Sequence, residues 1–124
     1  MTTTAKLTAL VAAGRIVAGF ALVAAPGRSG AVWLGHDAAR PAPQLALRAL
    51  GARDVALGVG TLATLDDSSQ LRRWVAASAI CDFADAASAM ATPSGALPAG
   101  ARWATVAVGG GTALAGLLLH RALR

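Results

Sequence analysis

The chain predicts an all-α fold, a polytopic membrane protein with a bundle of four transmembrane helices and a short interfacial segment between the first and second. Three observations carry this expectation. Of the 124 residues, 56% are hydrophobic and only 14% are charged, against about 25% charged in an ordinary soluble domain. Too few polar side chains exist to cover a water-facing surface. Apolar runs close to the roughly 20 residues needed to cross a bilayer recur four times. Arg and Asp stand in the middle of these runs, where they are tolerable only if they face other helices and pair. At this length residues 1–124 form a single integral membrane domain with no room for a second core.

The first segment, residues 6–25, stops at the breaker pair Pro26-Gly27. Its basic start and small-residue end have the general shape of a secretory leader, but Arg15 interrupts the apolar region and three more segments follow, so it is expected to be retained. Residues 26–43 are long for a hairpin connection, and their middle, "SGAVWLG", reads as an interfacial segment with Trp33 at headgroup depth. The second segment, 43–65, has Pro43 suited to its first turn. The third, 71–91, ends before "TPSG", and the fourth covers 101–121. Short connections make the second and third, and the third and fourth, antiparallel neighbours. Lys6, Arg72, Arg73, Arg121 and Arg124 fall on one side, and Arg28, Arg40 and Arg102 on the other. Five against three favours the inner (cytoplasmic) membrane with both termini in the cytoplasm. Trp33, Trp74 and Trp103 all fall at segment ends, as indoles do at membrane interfaces.

The net charge of +5 is not a nucleic-acid signature, because the arginines lie singly around apolar segments with no basic face interleaved by aromatics. Ten Arg to one Lys in an Ala-rich chain is an association with high-GC bacterial genomes. Cys81 is the only cysteine, so no intrachain disulfide or thiol-metal cluster forms, and it reads as a small apolar filler. His36 in a loop and His120 at a helix end are too far from mid-depth to build a metal site there. "GVG" (58–60) and "GGG" (109–111) follow no strand and read as helix-packing glycines; no HExxH, Walker loop or nucleophile elbow occurs. No metal and no cofactor is expected.

The charges explain themselves by depth. Asp54 and Asp82 are each fourteen residues from Ser68, at the centre of a connection. Each is eleven residues inside its segment, about 16 Å at 1.5 Å per residue, near the middle of a roughly 30 Å hydrocarbon layer. Arg15, Arg53, Asp54, Asp82 and Asp85 therefore converge at mid-depth, with Arg48 nearer the outer end. Alone, each costs about 2.5–3.5 kcal/mol to insert, so a shared network is expected, with Arg53 paired to Asp82 or Asp85. Asp82 and Asp85 share a helix face with Ser78, and Gly51, Asp54, Gly58 and Thr61 share another that admits close approach. Gly19, Gly109 to Gly111 and Gly116 offer similar flat surfaces, more than one copy can use, which favours a homo-oligomer, most simply a dimer.

Three readings of the network stay open. It is a set of paired charges fixing helix register, or a site for a lipophilic or amphipathic small molecule, or an enzyme in which Asp54, Asp82 or Asp85 serves as acid or base on a lipophilic substrate. In the binding reading Asp54, Asp82, Asp85 and Ser78 meet the ligand's polar end while Arg15 and Arg53 hold the carboxylates. Membrane lipid is the other expected partner, with an accessory role in a membrane complex as a further alternative.

"GRIVAGFALVAAP", "RALGARDVALGVGTL" and "DFADAASAMAT" resemble a domain-of-unknown-function family of small four-helix membrane proteins common in actinobacteria, whose hallmark is a Gly-x-Arg-Asp segment, here Gly51 to Asp54. They are distantly similar to DoxX-like proteins. The likeness runs over about residues 10–120 and rests on Gly51, Arg53, Asp54, Gly58, Asp82 and Asp85. It implies the architecture and no activity.

Overall fold

A computed structural model describes residues 2–123. Arg124, counted above among the basic residues near the termini, lies outside them. Five α-helices follow one another: α1 (Thr3–Ala24), α2 (Pro26–Leu34), α3 (Pro41–Ala63), α4 (Ser68–Ala91) and α5 (Ala101–Ala122), with a 3-10 turn over Gly35–Ala39 between α2 and α3. No strand occurs among the described residues.

Local chemistry sets the ends. Thr2 caps α1, its Oγ1 accepting from the Ala5 N–H at 3.2 Å. Pro26 and Pro41 open α2 and α3, where a missing N–H costs nothing. Thus α3 starts at Pro41, earlier than the expected Pro43. Gly35, at φ +56, ends α2 in a conformation open to glycine. Asp67 caps α4 by accepting from the Ser69 and Gln70 N–H groups, both at 3.0 Å.

The long helices pack as two antiparallel pairs, α1 with α3 and α4 with α5. In the first pair Gly19 lies against Gly51 and Asp54, and Gly58 against Ala12 and Ile16, so rising numbers on α3 meet falling numbers on α1. In the second, Gly109 lies on Asp82 and Ala86, and Gly116 on Ala79. The second and third segments are antiparallel neighbours as expected, with Arg53 reaching Asp85 and Gly60 lying on Trp74, but theirs is not the tightest pairing. Despite their short connection, α3 and α4 meet much less closely, with Trp74 against Gly60 as one contact. The reason is steric. Bare backbone on α1 and α3 lets that pair close together, whereas an indole holds α3 and α4 apart.

An apolar cluster of Leu22, Ala38 and Leu47, with Trp33, Leu34 and Leu50 against it, fixes α2 over the ends of α1 and α3. Elsewhere the large apolar side chains point outward: Val17 and Phe20 on α1, Leu45 on α3, Ile80 and Phe83 on α4, and Leu118 on α5 are all exposed. Two helices, α1 and α5, are long and apolar enough to cross a membrane by length and composition. The charges in α3 and α4 keep those two below that mark.

Candidate functional site

The five mid-segment charges predicted to converge do so, as an alternating chain: Asp82, Arg15, Asp54, Arg53, Asp85. Arg15 on α1 donates from Nη1 to Asp54 Oδ1 at 3.0 Å and from Nη2 to Asp82 Oδ2 at 2.5 Å. Arg53 donates to both oxygens of Asp85, at 2.9 and 2.7 Å, and from Nη2 to Asp54 Oδ1 at 3.2 Å. The Arg53–Asp85 pair is bidentate, the stronger geometry for a guanidinium and a carboxylate. Of the two partners expected for Arg53, the structure selects Asp85. Asp82 belongs to Arg15.

The inner half of the chain is buried. Side-chain exposure is 10% for Arg15, 8% for Asp82 and 18% for Asp54, against 30% for Arg53 and 34% for Asp85. Charges so placed persist only because each has partners. Arg53 Nε is buried with no partner among the described residues. Arg48 stands outside this group, exposed and without an ion pair among the described residues. It lies about 140° round the helix from Arg53, five residues at 100° each, so it projects from another face. The network thus holds two guanidiniums and three carboxylates.

Two adjoining cavities flank the chain. One of about 270 Å³ is lined by Arg15, Asp54, Asp82 and Asp85, with Trp33 and Thr112 also on its walls. The other, of about 330 Å³, is mostly apolar, with Pro43, Ala46, Leu47, Leu97 and Ala89 on its walls. They share Trp33, Leu50, Asp85 and Thr105 as walls, and so lie side by side as the two arms of a cleft between the helix pairs. Past Arg15 and Asp82 the space shrinks to about 30 Å³, beside Thr8, Thr61 and Ser78. That is room for little more than water. Ser78, expected beside the ligand's polar end, lines this narrow pocket and not the cleft.

Trp33, expected at headgroup depth, is half-buried on the apolar cluster and lines both cavities, a role not foreseen. Thr105 and Thr112 were missed too, although a signal existed. With Gly109 they recur at four- and three-residue spacing, which puts one polar, narrow face of α5 toward the charges.

At the other end of α4, His120 and Arg72 make a separate contact. The His120 ring accepts at Nε2 from Arg72 Nη2 at 3.4 Å, and its Nδ1 lies 3.1 Å from the Arg72 carbonyl. A carbonyl only accepts, so Nδ1 carries the proton. Among the described residues no group of His, Cys, Asp and Glu could hold a metal ion.

No protein-family model matches the chain, and neither a curated protein nor a solved structure matches it.

Proposed function

We propose that this is a multi-pass membrane protein whose cleft binds a lipophilic or amphipathic small molecule. In this reading α1, α3, α4 and α5 each cross the bilayer as a four-helix bundle, and α2 lies at the interface. Exposed apolar side chains on all four long helices, with ionised groups turned inward, support it. In this reading both termini lie in the cytoplasm, which the excess of basic residues near them supports. Gly14, Gly110 and Gly111 face open space, and these are flat surfaces on which copies of the chain would pack as a homo-oligomer. The resemblance to the Gly-x-Arg-Asp family fits the same architecture.

The observation that carries the binding reading is the cleft itself: an apolar arm of about 330 Å³ beside a charged arm of about 270 Å³. An amphiphile has that division of polarity. Its tail would lie past Leu47 and Ala89, and its polar end would meet Asp54, Asp82 and Asp85, held in place by Arg15 and Arg53. The narrowing beyond Arg15 stops the ligand there.

One observation favours a rival, purely structural role, since Arg15 ties the α1/α3 pair to α4. Mass spectrometry of the protein released intact from native membrane separates the two. The binding reading predicts a co-purifying small molecule, lost in Ala46→Phe, which puts bulk into the apolar arm from an exposed position. A molecule-free parent that melts like Ala46→Phe would leave the structural role.

A further inference from the structure

The chain of charges does not balance. Two guanidiniums face three carboxylates, so with every group ionised it carries one net negative charge inside the fold. The hydrogen bonds locate the deficit. Asp54 accepts both of its bonds on Oδ1, and Asp82 accepts its bond on Oδ2. Asp54 Oδ2 and Asp82 Oδ1 have no hydrogen-bond partner among the described residues. Asp85 has no such vacancy, because Arg53 takes both of its oxygens.

These two oxygens belong to carboxylates held on one guanidinium, that of Arg15, and both residues line the charged arm of the cleft. The Asp82 side chain is more than nine-tenths buried, 8% exposed. Arg53 does not line either arm, so the cleft meets three carboxylates and a single guanidinium. Neither oxygen is sealed in the fold, so both are free to accept from a donor that enters the cleft. Water in the cavity would supply the donor but not the missing charge. A compact cation with several N–H donors supplies both, and an alkylammonium has three.

We propose that the cleft takes a lipophilic primary amine, its ammonium donating to Asp54 Oδ2 and Asp82 Oδ1 and its alkyl chain lying along the apolar arm past Trp33. This rests on the amphiphile reading above and adds the head group to it. Arg15 keeps its two ion pairs and orients the carboxylates toward the cation. A carboxylate or phosphate head would instead meet three like charges against one guanidinium.

Three eight-carbon probes that differ only at the head test this on the full chain in lipid nanodiscs near pH 7, where an alkylamine is protonated. Equilibrium dialysis measures octylamine, octan-1-ol and octanoate, with empty nanodiscs correcting for partition. Octylamine is expected to bind saturably and at least about tenfold more tightly than octanol, with octanoate weakest. Asp82→Asn should weaken octylamine about tenfold and leave octanol unchanged. The comparison among probes on the parent protein decides the matter even if that variant does not accumulate. Octanol or octanoate binding as well as octylamine would overturn the ammonium and leave the amphiphile cleft standing. If no probe saturates above empty nanodiscs, both fall.

Discussion

Arg15 is the residue on which the site depends most, because it satisfies carboxylates on two other helices from a side chain only 10% exposed. Arg15→Ala strands Asp54 and Asp82, and should cost about 3–5 kcal/mol or abolish accumulation. Combining Arg15→Met with Asp82→Asn removes charge from both sides and should recover part of that loss, read as the melting temperature in detergent. Arg48→Ala should fall within about 0.5 kcal/mol of the parent, as an exposed group without an ion pair does. The meeting of Asp54 and Asp82 on Arg15 was legible by counting, since near-equal distance from the turn between α3 and α4 sets near-equal depth. Which Arg holds which Asp was not. A guanidinium on a long, flexible stem reaches sideways by several ångströms, and spacing along a helix does not encode that reach.

At the scale of helices, glycine decides who pairs with whom. A Cβ at Gly51 would overlap the Gly19 carbonyl and crowd Leu22, whereas one at Gly110 meets nothing. Gly51→Ala should therefore destabilise by about 1–3 kcal/mol, because backbone has to move. Gly110→Ala should gain about 0.5–1 kcal/mol from helix propensity alone. Thermal melts of the two variants side by side check the contrast. The helix positions were read from apolar runs and Pro–Gly breaks to within about three residues. The close pairing of α1 with α3 was not, because a long connection separates them and bare backbone at Gly19, Gly51 and Gly58 brings them together. The α4 cap offers a pH test outside the spanning segments. The Gln70 N–H, and then the Ser69 hydroxyl, hold Asp67 below its ordinary value. A depressed folded pKa contributes stability that is present above the unfolded value and lost as pH falls through the folded one. Melting temperature of the parent should thus decline further between about pH 4 and the lower, folded value than that of Asp67→Ala. Equal declines would show that the cap carries no linked stability.

Across the whole molecule, large apolar side chains lie on the outside of the long helices and an ion-pair chain lies within. That chain was legible in the sequence, because charges in the middle of apolar runs are tolerable where they face other helices and pair. The cleft was not legible. It arises from two helix pairs held apart, with Trp33 of α2 on its wall. The proposed topology puts the turn at residues 64–67 and the connection at 92–100 on opposite sides of the membrane. In a Cys81→Ser background, an impermeant thiol reagent should label Ala96→Cys from outside the cell and spare Asp66→Cys. Labelling of both would contradict four spans. The central claim, that an amphiphile occupies the cleft, is tested most directly by Trp33 itself. With Trp74→Phe and Trp103→Phe leaving Trp33 as the single indole, 8-bromooctan-1-ol is titrated into nanodiscs while Trp33 emission is followed. Occupancy of the cleft predicts saturable quenching of Trp33 that Ala46→Phe weakens. Quenching that only rises linearly, as for an indole dissolved in the lipid, would contradict it.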